Sequence, residues 1–304
     1  MRRSAKLPNR LWSACVAAGI VTCIPAMAAP VAPSPGARSD GTATEPSGAY
    51  VETQGARIWY ASVGEGPPVV LLHGGLASSR SWDAQVPALV ASGHRVILID
   101  SRGHGRSTMG PLPLRYELLA EDVLAVLEHL HLAKPVLIGW SDGAIVALLV
   151  ALRAPHRLGG VYAFGANMDK ASVRPNAGDA PILATVAPLL VADYAARSPD
   201  PSGFGRLQQA VRAMQADQQD IGAEQLRTIR TPVTIAGSQD DEFILPAHFR
   251  ALARAIPSAR LEMFPAAGHF IPWQKPAVFN RSLLMFLDRT ARPRPPHARP
   301  PLRR

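Results

Sequence analysis

Short apolar runs alternate with amphipathic stretches along most of this 304-residue chain. The runs are rich in aliphatic and β-branched residues and predict strands. These strands are a pair over 51–62 turned at Gly55, then 69–72, 95–99, 135–139, 160–164, 233–236 and 261–264. Apolar positions at helical spacing predict helices at 81–91, 116–130, 142–154, 246–256 and 276–289. This alternation is typical of an α/β fold with a mostly parallel sheet covered on both faces.

Residues 170–231 interrupt the alternation. They contain no run typical of a strand, but the segments 182–196 and 204–217 have helical spacing. Ligands of parallel α/β sheets bind beyond the carboxyl ends of the strands. We therefore predict that residues 170–231 form a short helical cap over a site at that edge of the sheet.

The N-terminus has the features of a secretory signal peptide. Residues 1–28 begin with basic side chains, continue with an apolar stretch and end at the small-x-small sequence Ala26-Met27-Ala28. The apolar stretch is short for a membrane span, which needs about 20 residues. We predict cleavage near Ala28-Ala29, a periplasmic or secreted protein, and no stable membrane span after cleavage. An uncleaved membrane anchor is the alternative.

Composition sets the limits of the folded domain. Residues 29–48 are rich in Pro, Ala, Gly and Ser and predict a flexible linker. Residues 291–304 are basic and Pro-rich and predict a disordered tail. We therefore expect one folded domain over residues 49–290.

The formal net charge of +9 is carried by the two ends of the chain. Residues 1–28 and 291–304 hold basic side chains and no acidic ones, so the body between them is neutral. A neutral body argues against nucleic-acid binding. Both cysteines, Cys15 and Cys23, lie in the predicted signal, so the mature chain would have no disulfide and no cysteine metal site.

The sequence Gly139-Trp140-Ser141-Asp142-Gly143 joins a predicted strand to a predicted helix. In a Gly-x-Ser-x-Gly motif with this context, a sharp turn presents the serine hydroxyl as a nucleophile. A serine also needs a general base. Of the nine histidines, only His269 lies between the last predicted strand and the final helix, where the order nucleophile, acid, histidine requires it. We predict Ser141 as nucleophile and His269 as base.

The acid that orients the histidine is expected in the loop after the strand at 233–236. Three consecutive carboxylates lie there. We choose Asp240, three residues after the glycine taken as the end of the strand. Asp241 is the second choice and Glu242 the third, and Asp169 in an earlier loop is a more remote alternative.

The oxyanion of an acyl-transfer reaction needs two hydrogen-bond donors. We expect one to be the backbone N–H of Asp142, which follows the nucleophile, and the other to come from the turn His73-Gly74-Gly75-Leu76, where glycine permits close approach. Gly75 is our choice and Leu76 the alternative.

The substrate pocket is expected to be apolar, because aromatic residues flank the predicted catalytic residues. We expect Trp140 and Phe270 to contact the substrate, which we predict to be a small molecule. The carboxylate of Asp142 would repel anionic substrates. No metal site is predicted, and the oligomeric state is left open.

Together these motifs resemble the α/β-hydrolase superfamily, in particular its serine esterase and lactonase-like members, over residues 50–290. The matching pieces are His73-Gly74-Gly75, Asp100-Ser101-Arg102-Gly103-His104-Gly105-Arg106-Ser107, the Gly139–Gly143 motif, the Gly237–Asp240 loop and Gly268-His269. The resemblance implies an eight-stranded, mostly parallel sheet and a mechanism without a cofactor. It also implies that Asp100 and Arg102 have an architectural role. Relatives that open epoxides use an aspartate where this chain has Ser141.

We therefore predict an exported serine hydrolase that cleaves small or medium carboxylic esters or lactones through an acyl-enzyme. In this mechanism Ser141 attacks the carbonyl, His269 takes its proton and Asp240 stabilises the imidazolium. A cofactor-free perhydrolase or carbon–carbon bond hydrolase of the same fold is the alternative. A non-catalytic ligand-binding protein on this scaffold is the second alternative.

Overall fold

A computed structural model describes residues 46–291 and contains an eight-stranded sheet. The strands are β1 (Gly48–Thr53), β2 (Ala56–Val63), β3 (Pro68–Leu72), β4 (Arg95–Ile99), β5 (Val136–Trp140), β6 (Gly160–Phe164), β7 (Val233–Ser238) and β8 (Ala259–Phe264). Their order in the sheet is β1-β2-β4-β3-β5-β6-β7-β8. Strands β3 to β8 pair in parallel, whereas β2 is antiparallel to both of its neighbours. The expected eight-stranded, mostly parallel sheet is confirmed.

The first two strands form the predicted hairpin. They are joined by Gln54 and Gly55, which both have positive φ angles, of 46° and 75°. Two positive φ angles in a two-residue loop are typical of the type I′ turn, whose twist matches that of the strands. Glycine adopts this conformation without steric cost.

The helices are α1 (Val86–Ala91), α2 (Tyr116–His129), α3 (Asp142–Arg153), α4 (Leu183–Arg197), α5 (Phe204–Asp217), α6 (Ala223–Leu226), α7 (Pro246–Ala255), α8 (Ile271–Gln274) and α9 (Pro276–Ala291). Side chains of α2, α3 and α7 form one apolar cluster on the sheet, and those of α1 and α9 form the other. In β3, Val70 and Leu72 belong to the first cluster and Val69 and Leu71 to the second. The strand is apolar on both faces because each face carries a core.

Helices α4 and α5 lie in the segment for which a cap was predicted. The antiparallel bridge between Val173 and Ile244 joins the start of this segment to the loop after β7. Within residues 46–291, no helix is both long and apolar enough to cross a membrane. The predicted signal peptide, the linker up to residue 45 and the tail from residue 292 lie outside the described residues.

The parallel strands bring the candidate residues to one edge of the sheet. Ser141 follows β5, His73 follows β3, the three carboxylates follow β7 and His269 follows β8. All of these positions are at carboxyl ends of strands, where α/β folds bind ligands.

Candidate active site

Ser141 lies in a strained turn between β5 and α3. Its φ and ψ angles are 56° and −122°, an uncommon backbone conformation for a residue other than glycine. Its N–H donates to the carbonyl of Phe164, at 2.8 Å. Both flanking glycines are required, because a Cβ atom on Gly139 would lie 2.3 Å from the carbonyl oxygen of Gly143, and one on Gly143 would lie 2.2 Å from that of Leu72. This is the geometry expected of the Gly-x-Ser-x-Gly motif.

The imidazole of His269 is buried between β8 and α8. Its Nδ1 lies 2.9 Å from Oδ2 of Asp241. Because a carboxylate only accepts, Nδ1 carries the proton and Nε2 is the basic nitrogen. Burial alone would lower the pKa of His269, but the charge of Asp241 and its hydrogen bond outweigh burial and raise the pKa.

The choice of Asp240 as the partner of His269 is wrong, because Asp241 occupies that place. Asp240 is exposed, and its N–H donates to the carbonyl of Ala267, at 3.0 Å. Asp241 is only 1% exposed. The prediction counted from Gly237 as the end of the strand, but β7 continues to Ser238, which displaces the loop by one residue.

The Asp241 carboxylate is also held from its other side. Its Oδ1 accepts hydrogen bonds from the N–H groups of Phe243, at 3.0 Å, and Ile244, at 2.8 Å. Burial raises the pKa of Asp241, but the charge and hydrogen bond of His269 and these two N–H groups together lower it. The carboxylate is therefore ionised and fixed in direction.

The two remaining acid candidates have other contacts. Glu242 accepts the backbone N–H of His269, at 2.6 Å, so it fixes the main chain of the histidine rather than the ring. Asp169 lies 3.3 Å from Nδ1 of His248 and accepts the N–H of Ser172, at the base of the predicted cap. Neither is a partner of the imidazole of His269.

Two residues around His269 were not predicted. Gly165, after β6, has a φ of 69°, and a Cβ atom there would lie 2.7 Å from Cε1 of His269. The ring of Phe243 packs edge-on against the imidazole, with centroids 4.9 Å apart. A glycine at the carboxyl end of a strand is a signal that could have identified Gly165, whereas Phe243 has no such signal.

The predicted oxyanion turn lies against the nucleophile. A Cβ atom on Gly74 would lie 3.2 Å from Cβ of Ser141, and one on Gly75 would lie 2.5 Å from Oδ2 of Asp142. The backbone N–H groups of Gly75 and Asp142 donate to no acceptor within residues 46–291, so both are available to a ligand. Leu76, the alternative, has a positive φ of 62°.

The loop after β3 is held by buried polar contacts. Nε2 of His73 accepts the N–H of Ser101, at 3.0 Å, and its Nδ1 donates to the carbonyl of Gly74, at 2.8 Å. Asp100 accepts N–H groups of Ser79 and Arg106, both at 2.8 Å. These contacts fit an architectural role for Asp100. Arg102 has a comparable role, because it forms two hydrogen bonds to Asp122, at 2.6 and 2.8 Å.

The candidate nucleophile, base and oxyanion-binding residues line one cavity of about 640 Å³. Its lining includes Ser141, His269, Gly75 and Asp142 together with the predicted pocket residues Trp140 and Phe270. The side of the cavity contributed by α4 and α5 is largely apolar, with Leu183, Val186, Leu190, Phe204 and Val211. The cavity is therefore of a size and character suited to a small organic molecule. Within residues 46–291, no cluster of three or more His, Cys, Asp or Glu side chains could hold a metal ion.

The sequence matches known hydrolases over most of its length. The profile of the alpha/beta hydrolase family matches residues 69–282. A putative carbamate hydrolase of Variovorax paradoxus is 30% identical, over 74% of this chain and 93% of that protein. A 2-hydroxy-6-oxo-6-phenylhexa-2,4-dienoate hydrolase of Comamonas testosteroni is 28% identical, over 76% of this chain and 91% of that protein. The chain therefore belongs to the alpha/beta hydrolase family.

Solved structures show the same fold. A thermophilic esterase from Thermogutta terrifontis superposes with a TM-score of 0.64 at 24% sequence identity, covering 81% of this chain and 100% of that one. At this identity the likeness shows the shared fold and not a shared substrate.

Proposed function

We propose that this hydrolase cleaves small or medium carboxylic esters or lactones through an acyl-enzyme, with Ser141, His269 and Asp241 as its catalytic triad. The observation that carries the proposal is the buried hydrogen bond between Asp241 and His269, because His269 lines the same cavity as Ser141 in its strained turn. Ser141 as nucleophile, His269 as base and Asp241 as orienting acid would supply the three groups that serine-based acyl transfer requires.

The first half of the reaction forms the acyl-enzyme. Oγ of Ser141 attacks the carbonyl carbon while Nε2 of His269 takes its proton. The negative charge moves to the carbonyl oxygen, where the N–H groups of Asp142 and Gly75 stabilise it. The intermediate collapses when His269 returns the proton to the leaving alkoxide.

The second half releases the acid. Water attacks the acyl carbon while His269 again acts as base, and the serine leaves with the proton that the imidazole had taken. Asp241 stabilises the imidazolium in both halves through the bond to Nδ1. For a lactone the alcohol and the acid remain in one product.

Carbon–carbon bond cleavage is the second candidate, because a relative is named for the hydrolysis of a dienoate. A dienoate carries a negative charge, and the cavity of this chain has the buried carboxylate of Asp142 beside the nucleophile. Like charges repel more strongly where water is excluded. Lys170 and Arg212 also line the cavity, but both are exposed to solvent. We therefore favour neutral esters and lactones.

The test follows p-nitrophenol release from esters of increasing acyl length, with the wild type and Ser141→Ala side by side. We expect turnover by the wild type and a loss of about 10⁴-fold or more in kcat for the variant. Equal activity of the two proteins would show that Ser141 is not the nucleophile. If the wild type is inactive on these esters, homoserine-type lactones and a dienoate are the next substrates to test, and perhydrolysis with peroxide is the next reaction.

We also propose that the protein is exported after cleavage near Ala28-Ala29, because residues 1–28 have the pattern of a signal peptide. The mass of the protein recovered from the periplasm or the medium tests this. A chain that retains residue 1 and stays in the cytoplasm would contradict it.

A further inference from the structure

The carboxylate of Asp142 is a meeting point of three segments. Its side chain is buried beside the nucleophile, and the hydroxyl of Tyr116, the first residue of α2, donates to its Oδ1 at 2.8 Å. The amide of Gln215, on α5, lies 3.3 Å from Oδ1 and 3.2 Å from Oδ2. On the remaining side, Oδ2 occupies the space where a side chain on Gly75 would be.

These contacts connect the cap helix to the groups that bind the oxyanion. The same residue, Asp142, supplies both the carboxylate and a backbone N–H of the proposed oxyanion hole, and Gly75 supplies the other N–H. Nε2 of Gln215 would lie only 3.5 Å from a Cβ atom on Gly75. A displacement of α5 would therefore change the hydrogen bonds of Asp142, which supplies one oxyanion donor and lies against Gly75, which supplies the other.

The carboxylate depends on its donors because it is buried. Burial raises the pKa of the Asp142 carboxyl, and the hydrogen bonds from Tyr116 and Gln215 act in the opposite direction. No donor to Oδ2 other than Gln215 is found within the described part of the chain. Gln215 is itself exposed, so without its amide this oxygen would have no donor from the described residues, and the carboxylate would accept water, rotate or take up a proton.

The other cap helix has a corresponding contact. The hydroxyl of Ser78, in the loop after β3, donates to Asp193 on α4. Asp193 also accepts a hydrogen bond from Nε of Arg197, at 2.7 Å. Each cap helix is thus bonded to one of the two segments that carry the proposed oxyanion donors, α4 to the loop of Gly75 and α5 to Asp142.

We propose that Gln215 is a positioning residue, which acts through the carboxylate of Asp142 to align the oxyanion donors when the cap lies over the cavity. The inference rests on the proposed function. Gln215 need not touch the substrate's reacting atoms. Its contribution should appear in the rate of acylation rather than in substrate binding, because the oxyanion forms only after attack.

The experiment compares Gln215→Ala and Gln215→Glu with Gln209→Ala and Gln209→Glu. Gln209 is an exposed residue of the same helix, so it controls for the helix and for the added charge. The readouts are kcat and KM for p-nitrophenyl butyrate and the rate at which a fluorophosphonate labels Ser141. We expect Gln215→Ala to lower kcat and the labelling rate about ten-fold, the effect of losing one hydrogen bond to a charged group, and to change KM less. Gln215→Glu should lower both rates further, because it places a like charge beside Asp142.

A double-mutant cycle separates this role from a purely structural one. If Gln215 acts through Asp142, Gln215→Ala should have no further effect in the Asp142→Ala background. Additive effects, or Gln215 variants that match the Gln209 controls, would overturn the inference while leaving the proposed function in place. A wild-type Ser141 that neither turns over the ester nor reacts with the fluorophosphonate would contradict the proposed function itself, and this inference with it.

Discussion

The two sides of the active-site cavity are built in different ways. One side, here called the floor, consists of the loops that follow β3, β5, β7 and β8, and it carries Ser141, Asp241 and His269. Asp241 and His269 are 1% and 4% exposed. The carboxylate of Asp241 accepts two backbone N–H groups and contacts the imidazole, and the main chain of His269 donates to Glu242. The other side, here called the roof, consists of α4 and α5.

The side chains of the roof are more exposed to solvent than those of the floor. Along α4, Val186 and Tyr194 are buried, whereas Leu189 and Val191 are 38% and 44% exposed. A helix with so few buried residues opens at a low free-energy cost compared with core elements. Under the proposed function, we therefore expect the floor to hold the catalytic groups in place and the roof to contact the substrate and to move more easily.

Among variants that keep Ser141, the largest expected effect comes from removing the charge of Asp241, the proposed acid of the floor. Asp241→Asn should lower kcat by about 10³- to 10⁴-fold, because the amide no longer stabilises the imidazolium or fixes the tautomer that leaves Nε2 basic. Asp240→Asn is the matched control, one residue away and exposed, and should keep wild-type activity. Steady-state kinetics with p-nitrophenyl butyrate measure kcat for both variants. A large loss of kcat in Asp240→Asn, with little loss in Asp241→Asn, would identify Asp240 as the acid instead.

The pH dependence of kcat/KM should be determined by His269, a residue of the floor. Because catalysis needs a neutral imidazole and the pKa of His269 is raised, kcat/KM should rise with pH through a midpoint above 6.5, the ordinary value for histidine. Below that midpoint the activity should fall about ten-fold per pH unit. A substitution in the roof such as Leu190→Ala should leave the midpoint unchanged. A midpoint below 6.5 would contradict the raised pKa.

The floor and the roof also differ in how far the sequence predicts them. The turn of Ser141 is local, since a strand, two glycines and a helix within a few residues determine it, and it was predicted correctly. The partner of His269 depends on where β7 ends, and an error of one residue there selected Asp240 instead of Asp241. The bonds of Gln215 and Tyr116 to Asp142 span 73 and 26 residues, and no periodic pattern marks such contacts.

The effect of the Asp142 charge on substrate preference is expected to be smaller than the effect of Asp241→Asn on kcat. Asp142→Asn should raise the ratio of kcat/KM for p-nitrophenyl hemisuccinate to that for p-nitrophenyl butyrate by roughly five- to ten-fold, because it removes a buried like charge. The ratio cancels any general loss of activity in the variant. Arg212→Ala is the comparison from the roof. If Arg212→Ala lowers the ratio and Asp142→Asn leaves it unchanged, then the exposed cation of the cap sets the charge preference.

The smallest effect should come from the apolar surface of the roof. Leu190 lines the cavity and is half-buried, so Leu190→Ala enlarges the space for the acyl chain without opening the core. Each additional methylene buried in such a pocket contributes about 0.8 kcal/mol. We therefore expect the acyl-length optimum to move toward longer chains, with the ratio of hexanoate to butyrate hydrolysis rising about three- to ten-fold. Leu189→Ala, on the exposed side of the same helix and absent from the cavity lining, should leave this ratio unchanged. An equal shift for both variants would show that the helix as a whole, rather than the side chain facing the cavity, limits the acyl group.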